Sequence, residues 1–400
     1  MRQLIMTINR PLITVASFIS LACNGLALTF IGVSLPALQQ HLEIDIVQAG
    51  MLMAWLQAGL TVCALLGGFF ADRVQREWII GTGCLSLGLG AVFLCIAPSY
   101  AYSLVAASSM GVGLGLILSG TNTLLVSMYT SHKGAILNIH HVFFGVGSII
   151  GPALMGVLII RGNNWQAGYY GAGLLLFILA LIFFFSRDKV PIRGKNTSQD
   201  IGSLRELFAA GRFHIILWVN FLSMGSQLVI MLFGVTFLVQ AKQCSLGEAG
   251  AALSVFSLFI VLGRLACSRL TFSFNHTSIV LTMLWLQVIM LLLIWRGSGW
   301  LALAVLAVSG FTFSGMYPTL MALTSMLFPD RDGISLGLLS TMGGLGAIVL
   351  CWLTGFVAGL SHIGIGLMVT IVACGLGLIM FQVYYPMLSR WESQSQAAHE

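Results

Sequence analysis

The sequence predicts an all-α membrane protein: twelve transmembrane helices arranged as two pseudo-symmetric six-helix bundles. Three observations carry that expectation. Only 8% of the 400 residues are charged, while 58% are hydrophobic; a soluble domain carries about 25% charged residues, so lipid is the expected solvent. Apolar runs long enough to cross a bilayer recur along the whole chain. The two halves also echo one another about 200 residues apart.

The N-terminal bundle is expected over residues 1–186, with spans at 12–38, 47–70, 78–97, 101–129, 135–159 and 167–186. The first run is too long for a signal peptide and continues through "GVSLPALQQHL" without a small-residue cleavage site, so it reads as a retained span. The longest polar segment follows, and 187–211 is assigned as a cytoplasmic linker. Ser203 and Glu206 form a capping-box pattern there, which predicts a short surface helix. The C-terminal bundle, 212–400, takes spans at 212–240, 248–268, 277–296, 300–327, 335–359 and 364–388.

A common shift supports the repeat. Moving the fifth span by 199 brings Gly134, Gly145, Gly147 and Gly156 onto Gly333, Gly344, Gly346 and Gly355. In the preceding span, Ser119-Gly120 meets Ser314-Gly315 after a shift of 195. Two repeated six-helix bundles meeting at a central cavity is a transporter architecture.

The net charge of +6 reports topology rather than a polyanionic partner. With the N-terminus inside, Arg73, Arg76, Lys133, Arg331, Arg390 and the basic residues of the linker share one side, and only Arg161, Lys242 and Arg296 fall on the other. That asymmetry places the basic side and both termini in the cytoplasm, in a bacterial-type inner membrane. Nucleic acid is not an expected partner. The glycosylation patterns at Asn196 and Asn275 fall on the inner side and carry no meaning there. The eight cysteines form no CxxC pair and read as small core residues. No metal or cofactor site is expected, and no nucleophile–base set or phosphate loop marks an enzyme.

The loop "GGFFADRVQRE" at 67–77 resembles the G-x-x-x-D-R-x-x-R signature of the major facilitator superfamily, through Gly68, Asp72, Arg73 and Arg76. Chain length, the 6+6 layout and the long central loop agree with that resemblance. It implies a cytoplasmic gate, an ion-pair latch in which Asp72 holds a helix end or an arginine and biases two access states; a solvated charged turn is the plainer reading. In the second half "GRLACSR" (263–269) puts Cys267 at the place of the acid. A narrower resemblance links "LNIHHVFFGVGSIIGP", "NFLSMGSQ" (220–227) and "MYPTLMAL" (316–323) to sugar-transporting branches of the superfamily. Those are the fucose–proton symporter and sodium-dependent glucose transporter-like groups. It implies a sugar-like solute and an acid in relatives where Gln227 stands here.

All twelve acidic residues fall in predicted loops or at span ends, so coupling through a buried carboxylate is not expected. What remains is neutral polar groups at helical spacing. Asn138, His141, Gly145, Ser148 and Pro152 share one face of the fifth span. His140 lies about 100° round from His141, on a stripe with Phe144, Gly147 and Gly151 that reads as close packing. His141 is therefore the candidate for solute contact or proton coupling, and His140 the candidate for packing. Ser17, Ser20 and Asn24 share a face of the first span, Gln57 and Thr61 of the second, and Asn220, Ser223 and Gln227 of the seventh. Asn122 and Tyr317 stand singly near mid-membrane. Each amide has two readings, solute ligand or interhelical bridge. Trp55 and Trp285 likewise offer flat faces for a ring or act as interface anchors.

These readings converge on a monomeric secondary transporter for a small polar solute, a sugar or polyol, with lipid and possible protons as its other partners. Efflux of amphipathic compounds is the rival, for which 25 phenylalanines and 18 methionines make an adaptable lining. A non-transporting membrane receptor or assembly factor is the alternative from another class.

Overall fold

The computed structural model describes residues 2–70, 73–129, 133–162, 164–186, 211–271, 273–328 and 332–397. The predicted linker helix and Asp72 lie outside them. Among the described residues, twelve helical spans are long and apolar enough to cross a membrane. The chain divides into two compact units, Met1–Asn196 and Thr197–Glu400.

The first unit contains α1 (Arg2–Leu42), α2 (Ile46–Phe70), α3 (Arg76–Cys95), α4 (Tyr100–Met128), α5 (Lys133–Ile160) and α6 (Trp165–Phe184). Its main packed pairs are α2 with α4, α3 with α4, α1 with α5 and α3 with α6. The second contains α7 (Gly211–Gln240), α8 (Leu246–Leu270), α9 (His276–Arg296), α10 (Gly299–Ser314), α11 (Met316–Leu327), α12 (Asp332–Gly359), α13 (Ile363–Gly366) and α14 (Met368–Ala397). It repeats the same pairings: α8 with α10, α9 with α10, α7 with α12 and α9 with α14.

Glycine explains why these pairs approach so closely, since small residues let membrane helices bring their backbones together. A Cβ at Gly147 would collide with the Ala22 carbonyl oxygen of α1, and one at Gly346 with the Phe221 carbonyl oxygen of α7. Gly111 lies against the Leu56 carbonyl, and Gly310 against the Phe256 carbonyl. The backbone repeats as well. Glu43 (φ 54°) and Gln243 (φ 56°) are the non-glycine positive-φ residues among those described. Glu43 directly follows α1 and Gln243 stands three residues past the end of α7.

The repeat is interrupted at one place. Gly67 meets Ser119 in the first unit and Gly263 meets Ser314 in the second. Gly263 and Ser314 stand 200 and 199 residues after Cys63 and Gly115, which also touch, so the offset between the units is kept along this pair of helices. The units differ instead at the break between α10 and α11. The tenth span, expected as one helix over 300–327, is divided there at Gly315. Pro318 has no N–H for the Ser314 carbonyl, and glycine weakens the same turn. Cys267 is buried against Gly315.

In the second unit α14 runs past its expected end at 388. Glu392 is 0% exposed and stands at the start of α9. Its carboxylate accepts from the backbone N–H groups of His276 (2.6 Å) and Thr277 (3.0 Å). It also accepts from the Thr277 hydroxyl (2.7 Å) and lies 2.7 Å from His276 Nδ1. The first turn of α3 carries its own acid, Glu77, whereas that of α9 has none. The anion that a helix N-terminus favours is thus supplied to α9 from the tail. At the other end of α9, Lys242 Nζ donates to the Trp295 and Gly297 carbonyls, each at 2.7 Å.

Candidate functional site

The polar residues of the first unit lie on α1, α2, α4 and α5, and Asn24 joins α1 to α4. Asn24 is buried, and its Nδ2 donates to the Leu114 carbonyl of α4 at 2.9 Å. Its Oδ1 is buried without a partner among the described residues. On α2, Gln57 and Thr61 are buried side by side on the face opposite Trp55, Val62 and Leu66, which are exposed. Gln57 Nε2 and Thr61 Oγ1 also have no partner among the described residues. Asn122 on α4 is half-buried, again with Oδ1 unpaired. A buried polar atom in lipid is costly unless something satisfies it. One amide of this set therefore bridges helices, and the others retain atoms for something else.

The two histidines separate. His140 is 0% exposed, and its Nε2 lies 3.2 Å from the Ser17 carbonyl. That contact requires the tautomer with the proton on Nε2. The Phe18 ring stands beside it, with centroids 5.8 Å apart. His141 is half-buried, its ring 5.6 Å from that of His140. Near them Thr14 Oγ1 and the Tyr129 hydroxyl share a 2.8 Å hydrogen bond. The expected polar stripe of α5 does not run its whole length as open surface. Ser148 and Pro152 are buried, and Ser148 lies against Gly25 of α1. Gly25, Gly147 and Gly151 draw α1 so close to α5 that no space is left at Ser148. The Asn138 side chain is outside the described set.

In the second unit Asn220 repeats the device of Asn24. Its Nδ2 donates to the Leu339 carbonyl of α12 at 2.7 Å, and Oδ1 has no partner among the described residues. Gln227, two turns on, is 7% exposed. Tyr317, at the start of α11, shares a 2.5 Å hydrogen bond with Ser340 of α12. Ser223, expected on the solute face with these residues, instead belongs to a buried knot. Its hydroxyl donates to Gln287 Oε1 at 3.1 Å, and Gln287 Nε2 donates to the Thr312 carbonyl at 3.1 Å. Cys374 Sγ adds a 3.6 Å contact. Gln287 thereby ties α7, α9, α10 and α14, and it went unnoticed in the sequence because it stands alone in an apolar span. Trp285 is exposed with Ile289 and Leu292, on the face turned away from Gln287. Trp55 and Trp285 thus sit on outward apolar stripes, as interface anchors do.

At the signature loop, Arg73 is exposed and Arg76 is 8% exposed at the start of α3. Gly68 lies in the last turn of α2. No cluster of metal-ligating side chains occurs among the described residues.

The Major Facilitator Superfamily profile matches residues 17–274 and 215–400. A TsgA homologue from Buchnera aphidicola subsp. Baizongia pistaciae is 20% identical over 349 residues, covering 86% of this chain and 87% of that protein. The fosmidomycin resistance protein of Escherichia coli K12 is 23% identical over 363 residues, covering 88% and 87%. Among solved structures, a D-xylose–proton symporter superposes with a TM-score of 0.77 at 13% identity, over 93% of this chain and 96% of its own. A bacterial homologue of the human lysosomal transporter Spinster gives 0.76 at 15%, over 97% and 98%.

Proposed function

The chain belongs to the Major Facilitator Superfamily of alternating-access transporters, and from that premise we propose that its solute is small, polar and uncharged, a sugar or polyol. One observation carries the reading: Asn24, Gln57, Asn122 and Asn220 are neutral amides, each with a buried atom left unpaired among the described residues. An amide both donates and accepts, which suits a solute bearing many hydroxyls. A charged solute would call for a buried counter-charge, and the polar positions of α1, α2, α4 and α7 offer none.

His141 is the proposed proton carrier, because imidazole is the one side chain here that titrates near neutral pH without perturbation. Asp72, Arg73 and Arg76, with Gly68, form the proposed cytoplasmic gate. The charge asymmetry supports an inner-membrane protein with both termini in the cytoplasm; a monomer is the proposed working unit.

The test is uptake into proteoliposomes of a panel of sugars and polyols, with and without an imposed pH gradient, for wild type and His141→Ala. Saturable uptake of a panel member supports the reading; gradient-driven accumulation lost in His141→Ala supports the coupling role. A second reading, export of amphipathic compounds, draws on relatives named as a fosmidomycin resistance protein and as the enterobactin exporter EntS. It predicts no sugar uptake and resistance to several unrelated compounds on expression.

A further inference from the structure

The two faces of the last helix differ in what they meet. Phe381, Leu388 and Glu392 are buried against the second unit. The opposite face carries Val383, Pro386, Met387, Arg390 and Gln394 at i, i+3, i+4, i+7 and i+11, all exposed. With Trp391 as a wall, these residues line a groove of about 470 Å³. Pro386 lies inside the helix, where it leaves one backbone carbonyl without its usual helical donor.

The groove is graded along its length. Its membrane-proximal part is aliphatic, and its far end holds the Arg390 guanidinium and the Gln394 amide. Arg390 has no carboxylate partner among the described residues. The span holding this helix runs from Ile363 to Gln394, roughly 45–50 Å of helix against a hydrocarbon core of about 30 Å. Its last turns therefore stand at the headgroup layer. They lie on the side to which the charge asymmetry assigns the cytoplasm. An aliphatic trough leading to a planar cation matches the order of groups in a membrane phospholipid: acyl chain, then phosphate. Guanidinium is the side chain that engages phosphate oxygens in pairs.

We propose that this groove seats an anionic phospholipid of the surrounding leaflet, its acyl chain along Val383 and Met387 and its headgroup phosphate on Arg390. Glu392, on the back of the same helix, holds the seat in place by fixing the tail to α9. The site is independent of the transported solute.

The experiment is native mass spectrometry of the full-length protein released from nanodiscs of equal parts phosphatidylglycerol and phosphatidylcholine. Wild type is expected to retain phosphatidylglycerol at least five-fold over phosphatidylcholine. Arg390→Gln should bring that ratio near one, and Arg269→Gln, which removes an exposed cation elsewhere, should leave it unchanged. Met387→Asp, which sets a carboxylate in the trough, should lower it as Arg390→Gln does. Adding millimolar inorganic phosphate should not displace the lipid. A wild-type ratio near one, an unchanged ratio in Arg390→Gln, equal loss in Arg269→Gln, or displacement by free phosphate would each overturn the assignment.

Discussion

Gly147 of α5 rests against the carbonyl oxygen of Ala22 of α1, with no room for a side chain between them. Gly346 and Phe221 make the same contact in the second unit, each residue 199 positions after its counterpart. Gly147→Ala and Gly346→Ala should each lower stability by about 1–3 kcal/mol through overpacking. Gly156→Ala is the control, since nothing lies within 4 Å of a Cβ there; it should be neutral or slightly stabilising. Thermal unfolding of the detergent-purified variants checks this, and equal melting temperatures for all three would refute the close-contact account.

Glu392 is buried as an acceptor for four donors of His276 and Thr277. Glu392→Ala strands those donors and should cost about 2 kcal/mol or more, given that hydrogen bonds to charged groups contribute roughly 1.5–3 kcal/mol. Glu392→Gln should cost less. Protease cleavage near the C-terminus, timed against wild type, should speed up in the same order. Identical cleavage rates would show that the tail is not held by this carboxylate.

Ser223 and Gln227 stand four residues apart on α7 but have different surroundings. Ser223→Ala disturbs the knot at Gln287 and should lower the melting temperature, by an amount near the ~0.6 kcal/mol typical of membrane interhelical hydrogen bonds, with KM unchanged. Gln227→Ala should raise KM with little change in melting. Should both variants shift the same quantity, the separation of bridge from ligand is wrong.

The adjacent histidines give a similar split. His140→Phe removes the hydrogen bond to the Ser17 carbonyl and should cost about 1 kcal/mol of stability, while the pH profile of transport stays as in wild type. His141→Ala should flatten that profile without a matching loss of stability. A flattened profile in the His140 variant would reverse the assignment.

Much of this architecture is readable from the residues themselves. Long apolar runs can only be helices in lipid, because every backbone polar group must be satisfied within the segment. The glycine echo at 147 and 346 is visible since the fold reuses one contact twice. Helical spacing also separates His140 from His141. Other features depend on tertiary placement. Gln287 reads as one amide in an apolar run until α7, α10 and α14 close around it. Ser148 keeps the spacing of a solute face, but Gly25 brings α1 onto it. Pro318 in "GMYPTL" was a signal for the break at Gly315 that the unbroken apolar pattern masked. Glu392 lies 115 residues from Thr277 in sequence, so nothing local indicates that it caps α9.

The most direct measurement of the central claim is the paired behaviour of Gln57→Leu. Gln57 is 2% exposed, and its Nε2 has no partner among the described residues; replacing such a group with an apolar one of similar size should not destabilise the empty protein. The account predicts an unchanged or raised melting temperature together with about a ten-fold rise in KM for the sugar or polyol carried, the loss of roughly one hydrogen bond to solute. A lowered melting temperature with unchanged KM would make Gln57 a structural bridge and contradict the claim.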